Sequence, residues 1–396
     1  MTARPQILKP DWIIDGDGKG LPMGTALRMQ DGLIADVGAA GGLGGGEAEE
    51  VELTGLTLLP GFIDLHGYLS VDPDRPEPMR RMFDPDLAGR RRTALAHMLT
   101  DLRSGVTTQR VMGEGNGLDL KLSRSVRDGD IDGPTLVVCG APIAPTGSHQ
   151  APASGGIDTS DALRQAVRQR AAAGVDFLKL VLTGGINGAG KDALAPLYSA
   201  DDLDLLFAEA ASVALPVAVA AHGGFAVAMA AARGAVTIEH CALFDAADLA
   251  ALSASATMPV LTLSRFFAPG GIARSASDNP VVLERLERAK ERLAWLCGAI
   301  AAGGQDFGLG TDNMHGQIAE DARLAVEVGL PTARVIAALT GTAARLIGRD
   351  SRIGWIRAGF AADLVAVAGN PLDAIEALGA VRGVWRGGRR LSRLTN

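Results

Sequence analysis

The chain has 396 residues, 47% of them hydrophobic, and a formal net charge of −7. This length allows one large domain with a small accessory domain, and the negative charge, without a long basic block, argues against nucleic acid as a partner. The three cysteines share no CxxC spacing, which argues against a disulfide framework and a thiolate zinc site.

The first residues, Met1 to Gln30, lack the basic and then apolar pattern of a signal peptide. No apolar run reaches membrane-spanning length, because residues 208–232 are interrupted by Glu209 and Pro216. We therefore expect a soluble cytoplasmic protein without a membrane partner. The sequence leaves open whether its copies form a homo-oligomer.

Both ends of the chain have the pattern of short strands joined by turns. Near the amino terminus, apolar runs alternate with Asp-Gly pairs such as Asp31-Gly32, which are typical of β-hairpins. A similar pattern returns in the last part of the chain, for example from Asp363 to Val367. We expect residues 1–57 and 350–396 to form one small β-sandwich domain.

The middle of the chain alternates strand and helix patterns, which is typical of parallel βα units. Eight candidate strands follow one another, at Phe62–His66, Thr107–Val111, Leu136–Cys139, Phe177–Val181, Val217–Ala221, Val236–His240, Val260–Ser264 and Phe307–Thr311. This number predicts a (β/α)8 TIM-type barrel over residues 58–349. A doubly wound sheet is the alternative, but no G-x-G-x-x-G follows the first strand.

Functional residues of such barrels lie at the carboxyl ends of the strands. The polar residues expected there are His66, Tyr68, Arg110, Lys179, His222, His240, Arg265 and Asp312. Each alone has a structural explanation, since a strand-end histidine often only packs and an aspartate often only caps a helix. A lysine within an apolar strand is costly unless it is paired, neutralised or modified. Imidazole and carboxylate groups at these strand ends are ligands that suit zinc or a similar divalent ion.

Several motifs of the chain resemble the amidohydrolase superfamily, in its branch of Xaa-Pro dipeptidase-like enzymes and imidazolonepropionase. The matching pieces are Pro60-Gly-Phe-Ile-Asp-Leu-His66, Gly105-Val-Thr-Thr108, Pro145-Thr-Gly-Ser-His149, Asp176-Phe-Leu-Lys179, Pro216-Val-Ala-Val219, Ile238-Glu-His240, Gly310-Thr-Asp312 and Gly359-Phe-Ala-Ala-Asp-Leu-Val365. The resemblance implies that a carboxylated Lys179 bridges two metals, with His66 and Asp312 on one and His240 on the other. It also implies that Asp312 takes a proton from the attacking water.

Two positions depart from the family pattern. Tyr68 stands where the family has the second histidine of the first strand, and Ala220 stands where it has the metal-binding histidine of the fifth. His222 matches only the second, substrate-side histidine of that strand. A phenol and a methyl group at these places remove one ligand from each of the two metal positions.

Three interpretations follow from these departures. In the first, one metal, most simply zinc, survives on His66, His240, Asp312 or a carboxylated Lys179, with His222 reaching in. The protein then hydrolyses amide, peptide-like or cyclic amide C–N bonds with Asp312 as proton carrier. In the second, the site is metal-free, and Tyr68, His222, Lys179 and Asp312 serve a lactonase, lyase or isomerase. In the third, the chain is a non-catalytic binding protein.

Substrate contacts are expected from four residues. His149 matches a family histidine that faces the substrate, and His315 follows Asp312 on the eighth loop. Arg110 and Arg265 could each hold a carboxylate of a small-molecule substrate, or could be structural ion-pair partners.

Overall fold

The computed structural model describes residues 4–43, 48–73, 82–148, 150–151, 155–186, 192–275 and 279–391. Its strands are β1 (Gln6–Ile13), β2 (Thr25–Gln30), β3 (Leu33–Ala39), β4 (Glu49–Pro60), β5 (Phe62–Gly67), β6 (Val106–Val111), β7 (Thr135–Val138), β8 (Leu178–Val181), β9 (Val217–Ala221), β10 (Thr237–His240), β11 (Met258–Leu261), β12 (Gly308–Leu309), β13 (Leu364–Ala368), β14 (Val381–Arg386) and β15 (Arg389–Arg390).

The helices follow the strands of the middle region. They are α1 (Leu87–Arg103), α2 (Leu118–Arg127), α3 (Ser160–Ala173), α4 (Ala200–Ser212), α5 (Phe225–Ala231), α6 (Ala246–Ser253), α7 (Leu263–Phe267), α8 (Ile272–Ser275), α9 (Pro280–Gly303), α10 (Ile318–Glu327), α11 (Thr332–Ala338) and α12 (Gly341–Leu346). Local sequence explains several starts: Ser199 and Asp245 form capping boxes at α4 and α6. None of the helices in the described ranges is long and apolar enough to cross a membrane.

The strands of both chain ends pair in one sheet, in the order β15-β14-β13-β4-β1-β2-β3. The long strand β4 joins them, because it pairs with β1 on one edge and with β13 on the other. The expected hairpin at Asp31-Gly32 is present between β2 and β3, with positive φ at both residues. Where the sequence suggested a sandwich, the described strands form this single mixed sheet, since β4 connects both groups edge to edge.

The middle strands are all parallel and lie in two sheets, β5-β6-β7 and β12-β11-β10-β9-β8. Single parallel bridges connect their edges, from Gly67 to Asp312 and from Ile143 to Leu180. The largest buried apolar cluster includes residues of these strands and of the helices around them. The carboxyl ends of β5, β10 and β12 therefore lie close to one another.

The seventh predicted strand is wrong at its end, and the eighth, Phe307–Thr311, is longer than the observed β12. The sequence placed Val260 to Ser264 in a strand, but β11 ends at Leu261 and α7 begins at Leu263. The Ser264 amide, in the first turn of α7, donates to Asp321 Oδ1 at 3.0 Å. This hydrogen bond satisfies a donor that a strand would have paired, and so favours the helix.

Candidate active site

His66 is fully buried near the end of β5 and is held by a carboxylate. Its Nδ1 lies 2.8 Å from Oε2 of Glu239, which is equally buried on β10. Its Nε2 is buried and has no hydrogen-bond partner among the described residues. Burial, followed by the charges of Lys179 and Arg110, lowers the pKa of His66 well below its usual value. The ring is therefore neutral, with Nδ1–H bound to Glu239 and the Nε2 lone pair directed elsewhere.

Arg110 lies behind Glu239 and completes a buried chain of polar groups. Its Nη2 donates to Glu239 Oε1 at 2.7 Å, its Nη1 to Thr237 Oγ1 at 3.0 Å and its Nε to the Leu65 carbonyl at 2.6 Å. All three guanidinium nitrogens are thus engaged within the protein. This placement favours the ion-pair alternative for Arg110 over contact with a substrate.

His240 and Asp312 meet His66 at the ends of β10 and β12. One ligand atom from each of the three residues can be chosen so that all lie within 4.8 Å of one another. Both His240 and Asp312 have positive φ, at 72° and 59°. Non-glycine residues in this conformation store strain and concentrate at functional sites. Burial raises the pKa of Asp312, although the charges of Arg265 and Lys179 oppose this rise.

His222 lies directly after β9 and borders the same group. Its ring stacks on that of His240, with centroids 5.3 Å apart and planes at 16°. Phe266 of α7 contacts the rings of His222 and His240 edge-on, with ring centroids 6.4 and 6.5 Å apart. His222 is outside the set of three convergent ligand groups found among the described residues, so its place is that of a neighbour at the site.

Tyr68 and Lys179 contact each other directly. The Lys179 Nζ donates to the Tyr68 hydroxyl at 2.7 Å, and Gln150 Nε2 donates to the same oxygen at 2.8 Å. Burial lowers the pKa of Lys179 to about 8. Burial, followed by the charge of Asp312, raises the pKa of Tyr68 well above its usual value. The phenol is therefore protonated at neutral pH, whatever its role.

Of the two arginines predicted to bind substrate, Arg265 lies beside the candidate cation ligands. It lies in α7 and not at a strand end, because α7 starts two residues after β11. Its Nε is 3.9 Å from Asp312 Oδ2, and its side chain is 7% exposed. It combines a positive charge beside Asp312 with residual access to solvent.

One expected substrate contact, His315, is not part of this group. His315 turns away to Asp101 of α1, with Nδ1 2.9 Å from Asp101 Oδ2, and its ring stacks on that of His97 at 3.8 Å. The Asp101 carboxylate explains this, since it also accepts the Gly316 amide at 2.8 Å and so fixes the loop after Asp312 against α1. His149 lies outside the described residues.

Sequence reasoning missed Glu239 and Gln150. A signal existed for Glu239, because a carboxylate inside the apolar strand Val236 to His240 is as costly as the lysine of β8. Gln150 gave none, since a loop glutamine has no pattern that links it to Tyr68.

The residues present fit a divalent cation. The orphaned Nε2 of His66 is the kind of buried atom that a cation would satisfy, and the Glu239–His66 contact is the usual support for a metal-binding histidine. Two imidazoles and one carboxylate are a donor set suited to zinc with an open position.

Residues 57–391 match the sequence pattern of the amidohydrolase family. The chain is 25% identical over 422 residues to ochratoxinase of Aspergillus niger, covering 98% of this chain and 86% of that enzyme. It is also 25% identical over 381 residues to imidazolonepropionase of Mesorhizobium japonicum, covering 88% and 87% of the two chains.

The fold is shared with solved structures. A Xaa-Pro dipeptidase with bound methionine superposes with a TM-score of 0.88 at 23% identity, covering 98% of this chain and 99% of that one. These findings confirm the resemblance predicted from the motifs. Because the family pattern covers most of the sequence, the chain belongs to the amidohydrolase family and is a hydrolase that acts on carbon–nitrogen bonds.

Proposed function

We propose that the protein hydrolyses amide or peptide-like C–N bonds, cyclic amides included, with one divalent cation, zinc, on His66, His240 and Asp312. The observation that carries this proposal is the convergence of these three side chains within 4.8 Å, with Glu239 fixing one of them. The enclosing frame is a closed (β/α)8 barrel over residues 58–349, joined to a small β domain of residues 1–57 and 350–396.

The chemistry divides between the cation and the side chains around it. A bound cation supplies Lewis-acid activation of water and of a carbonyl oxygen. Asp312 is the proton carrier, because burial raises the pKa of its carboxyl group and brings it closer to neutrality. The charge of Arg265, whose Nε lies 3.9 Å from Asp312 Oδ2, opposes this rise and favours the charged carboxylate.

The substrate class that fits best is an N-acyl amino acid or a dipeptide. A structural neighbour named as a Xaa-Pro dipeptidase supports a substrate of peptide-like type. The guanidinium of Arg265, 7% exposed and 3.9 Å from Asp312, would recognise a substrate carboxylate by a forked pair of hydrogen bonds. His222 and Phe266 form the neighbouring wall of the site.

A combined assay of metal content and turnover tests this function. Purified protein is reloaded with zinc after chelation and assayed on a panel of N-acyl amino acids, dipeptides and cyclic amides. Asp312→Asn is expected to lower kcat by about 10²–10⁴, whereas Asp306→Asn, which changes an exposed carboxylate paired with Arg345, keeps wild-type turnover. Zinc measured on the same samples separates loss of the cation from loss of the proton carrier. Full turnover by Asp312→Asn, or turnover with less than about a tenth of an equivalent of metal, contradicts the proposal.

A further inference from the structure

The hydroxyl of Tyr68 accepts two hydrogen bonds, from Lys179 Nζ at 2.7 Å and from Gln150 Nε2 at 2.8 Å. All three residues are at most 2% exposed. A phenol oxygen has room for two acceptor contacts and one donor hydrogen. Because both acceptor positions are filled, the O–H hydrogen must leave in a third direction. Among the described residues, no protein group accepts it.

Tyr68 lies next to two of the candidate cation ligands. The Tyr68 amide donates to the Asp312 carbonyl at 3.2 Å, and the Tyr68 ring lies 5.8 Å from the His66 ring. Two of the three candidate cation ligands are therefore immediate neighbours of Tyr68. The phenol oxygen therefore accepts hydrogen bonds from Lys179 and Gln150, and the Tyr68 residue lies beside the residues that would bind the cation.

The surroundings of Lys179 differ from those of a metal-bridging lysine. A carboxyl group added to Nζ would be an anion in a fully buried place, and such a charge is costly unless cations pair with it. The two positions that would help to hold a pair of cations carry the phenol of Tyr68 and the methyl group of Ala220 instead. Nζ also lies 4.8 Å from the centroid of the Tyr68 ring, a contact that suits a cationic amine.

We propose that Lys179 remains an unmodified amine and that the Lys179–Tyr68 pair replaces the second cation, with the Tyr68 O–H donating a hydrogen bond to the substrate carbonyl oxygen. The role of Tyr68 in this inference rests on the proposed function. The unmodified state of Lys179 does not depend on which substrate the protein uses. It assigns Tyr68 as a catalytic residue and Lys179 and Gln150 as positioning residues.

The step conserves atoms and charge. The water oxygen forms a bond to the carbonyl carbon, its proton passes to Asp312, and the carbonyl π electrons move to the oxygen that Tyr68 contacts. The electron pair on that oxygen then re-forms the C=O bond as the C–N bond breaks, the leaving nitrogen takes the proton from Asp312, and an acid and an amine result. Tyr68 keeps its proton throughout, so its contribution is a fixed dipole directed at the developing charge.

Metal content and intact mass test the state of Lys179 without a substrate. We expect wild-type protein to bind about one equivalent of zinc and to show no added mass of carbon dioxide in bicarbonate buffer. Lys179→Met should keep this zinc, because the amine is not a ligand. Two zinc ions in the wild type, a carboxylated mass, or loss of zinc in Lys179→Met would overturn the inference, even if no amide substrate is found.

Turnover tests the role of the phenol. Tyr68→Phe should lower kcat by about 10²–10³, as loss of one donor to a developing oxyanion does, with KM, zinc content and melting temperature near wild type. The other tyrosine of the chain supplies a matched control: Tyr198 is also buried, and its hydroxyl donates to the Ile157 carbonyl at 2.8 Å. Tyr198→Phe should keep kcat. Equal kcat in the wild type and Tyr68→Phe would overturn the role of the phenol.

A spectroscopic readout separates this contact from general structural effects. With tyrosine labelled at the Cζ carbon alone, the protein gives two carbon resonances, because the chain has two tyrosines, and Tyr198→Phe assigns them. Lys179→Met should shift the Tyr68 resonance and leave that of Tyr198 in place. A Tyr68 resonance that does not respond would contradict the proposed hold of Lys179 on the phenol.

Discussion

The backbone of Gly310 lies against that of His66, so that a Cβ at Gly310 would be 2.5 Å from both the nitrogen and the Cβ of His66. This contact holds the end of β12 against β5. The next hydrogen bond along this junction runs from the Asp312 amide to the His66 carbonyl at 2.7 Å. A glycine is thus required where two ligand-bearing strands meet.

Gly310→Ala should therefore loosen the cation site as well as the fold. Overpacking of this kind costs about 1–3 kcal/mol of unfolding free energy, and moving Asp312 away from His66 should weaken zinc binding. Urea unfolding and zinc competition with a chelator measure the two effects. Gly298→Ala in α9 is the control, because its Cβ would meet nothing within 4 Å and alanine favours a helix by about 0.5–1 kcal/mol. Equal stability of the two variants would contradict the argument.

Glu239→Gln should lower zinc affinity. The carboxylate fixes the Nδ1–H tautomer of His66 and compensates Arg110, with contacts of 2.8 and 2.7 Å. Loss of such an outer partner typically weakens metal binding about 10–100-fold. We expect this change in the zinc dissociation constant, together with a lower free energy of unfolding, because Arg110 is left uncompensated in the interior.

A surface carboxylate provides the control for this experiment. Glu320 pairs with Arg323 at 2.8 Å but is partly exposed on α10, so Glu320→Gln should change stability by less than about 1 kcal/mol and leave zinc affinity unchanged. If Glu239→Gln bound zinc as the wild type does, Glu239 would have no part in orienting His66.

The order of elements was predictable because buried parallel strands appear as apolar runs bounded by turns. Six of the eight predicted strands overlap the observed ones closely, and the motif around His66 predicted the family. The predicted continuation of the strand to Ser264 was wrong because a short apolar segment fits a strand or a helix equally well. Only the contact from Ser264 to Asp321, distant in sequence, decides for a helix.

The partners within the site were much harder to predict. His66 and Glu239 are 173 positions apart in sequence, and no local pattern connects them. Lys179 was recognised as costly, but its contact with Tyr68 depends on how two strands face each other across the interior. His315 was assigned to the substrate from its place after Asp312, whereas the Asp101 carboxylate draws it to α1.

Arg265→Met should weaken binding of substrates that carry a carboxylate. A hydrogen bond to a charged group contributes about 1.5–3 kcal/mol, so KM should rise roughly 10–100-fold for an N-acyl amino acid and little for the same compound capped as a primary amide. The acidic limb of the pH profile of kcat/KM should also move to higher pH, since Arg265 lowers the pKa of Asp312. Equal KM changes for both compounds would remove Arg265 from carboxylate recognition.

His97 should make the fold sensitive to acid. Burial of its ring, followed by the charge of the stacked His315, lowers the pKa of His97 to about 4, against the opposing effects of Leu69 and Asp101. The unfolded chain binds this proton near pH 6.5, so the free energy of unfolding should fall as the pH drops from about 6.5 to 4, by at most about 3 kcal/mol.

His97→Gln can still donate to the Leu69 carbonyl and does not titrate. Urea unfolding between about pH 7 and pH 4.5 should therefore show a smaller loss of stability in His97→Gln than in the wild type. Some loss remains in both proteins, because the other acid-sensitive groups, His66 among them, are present in both. Parallel stability curves for the two proteins would refute this role for His97.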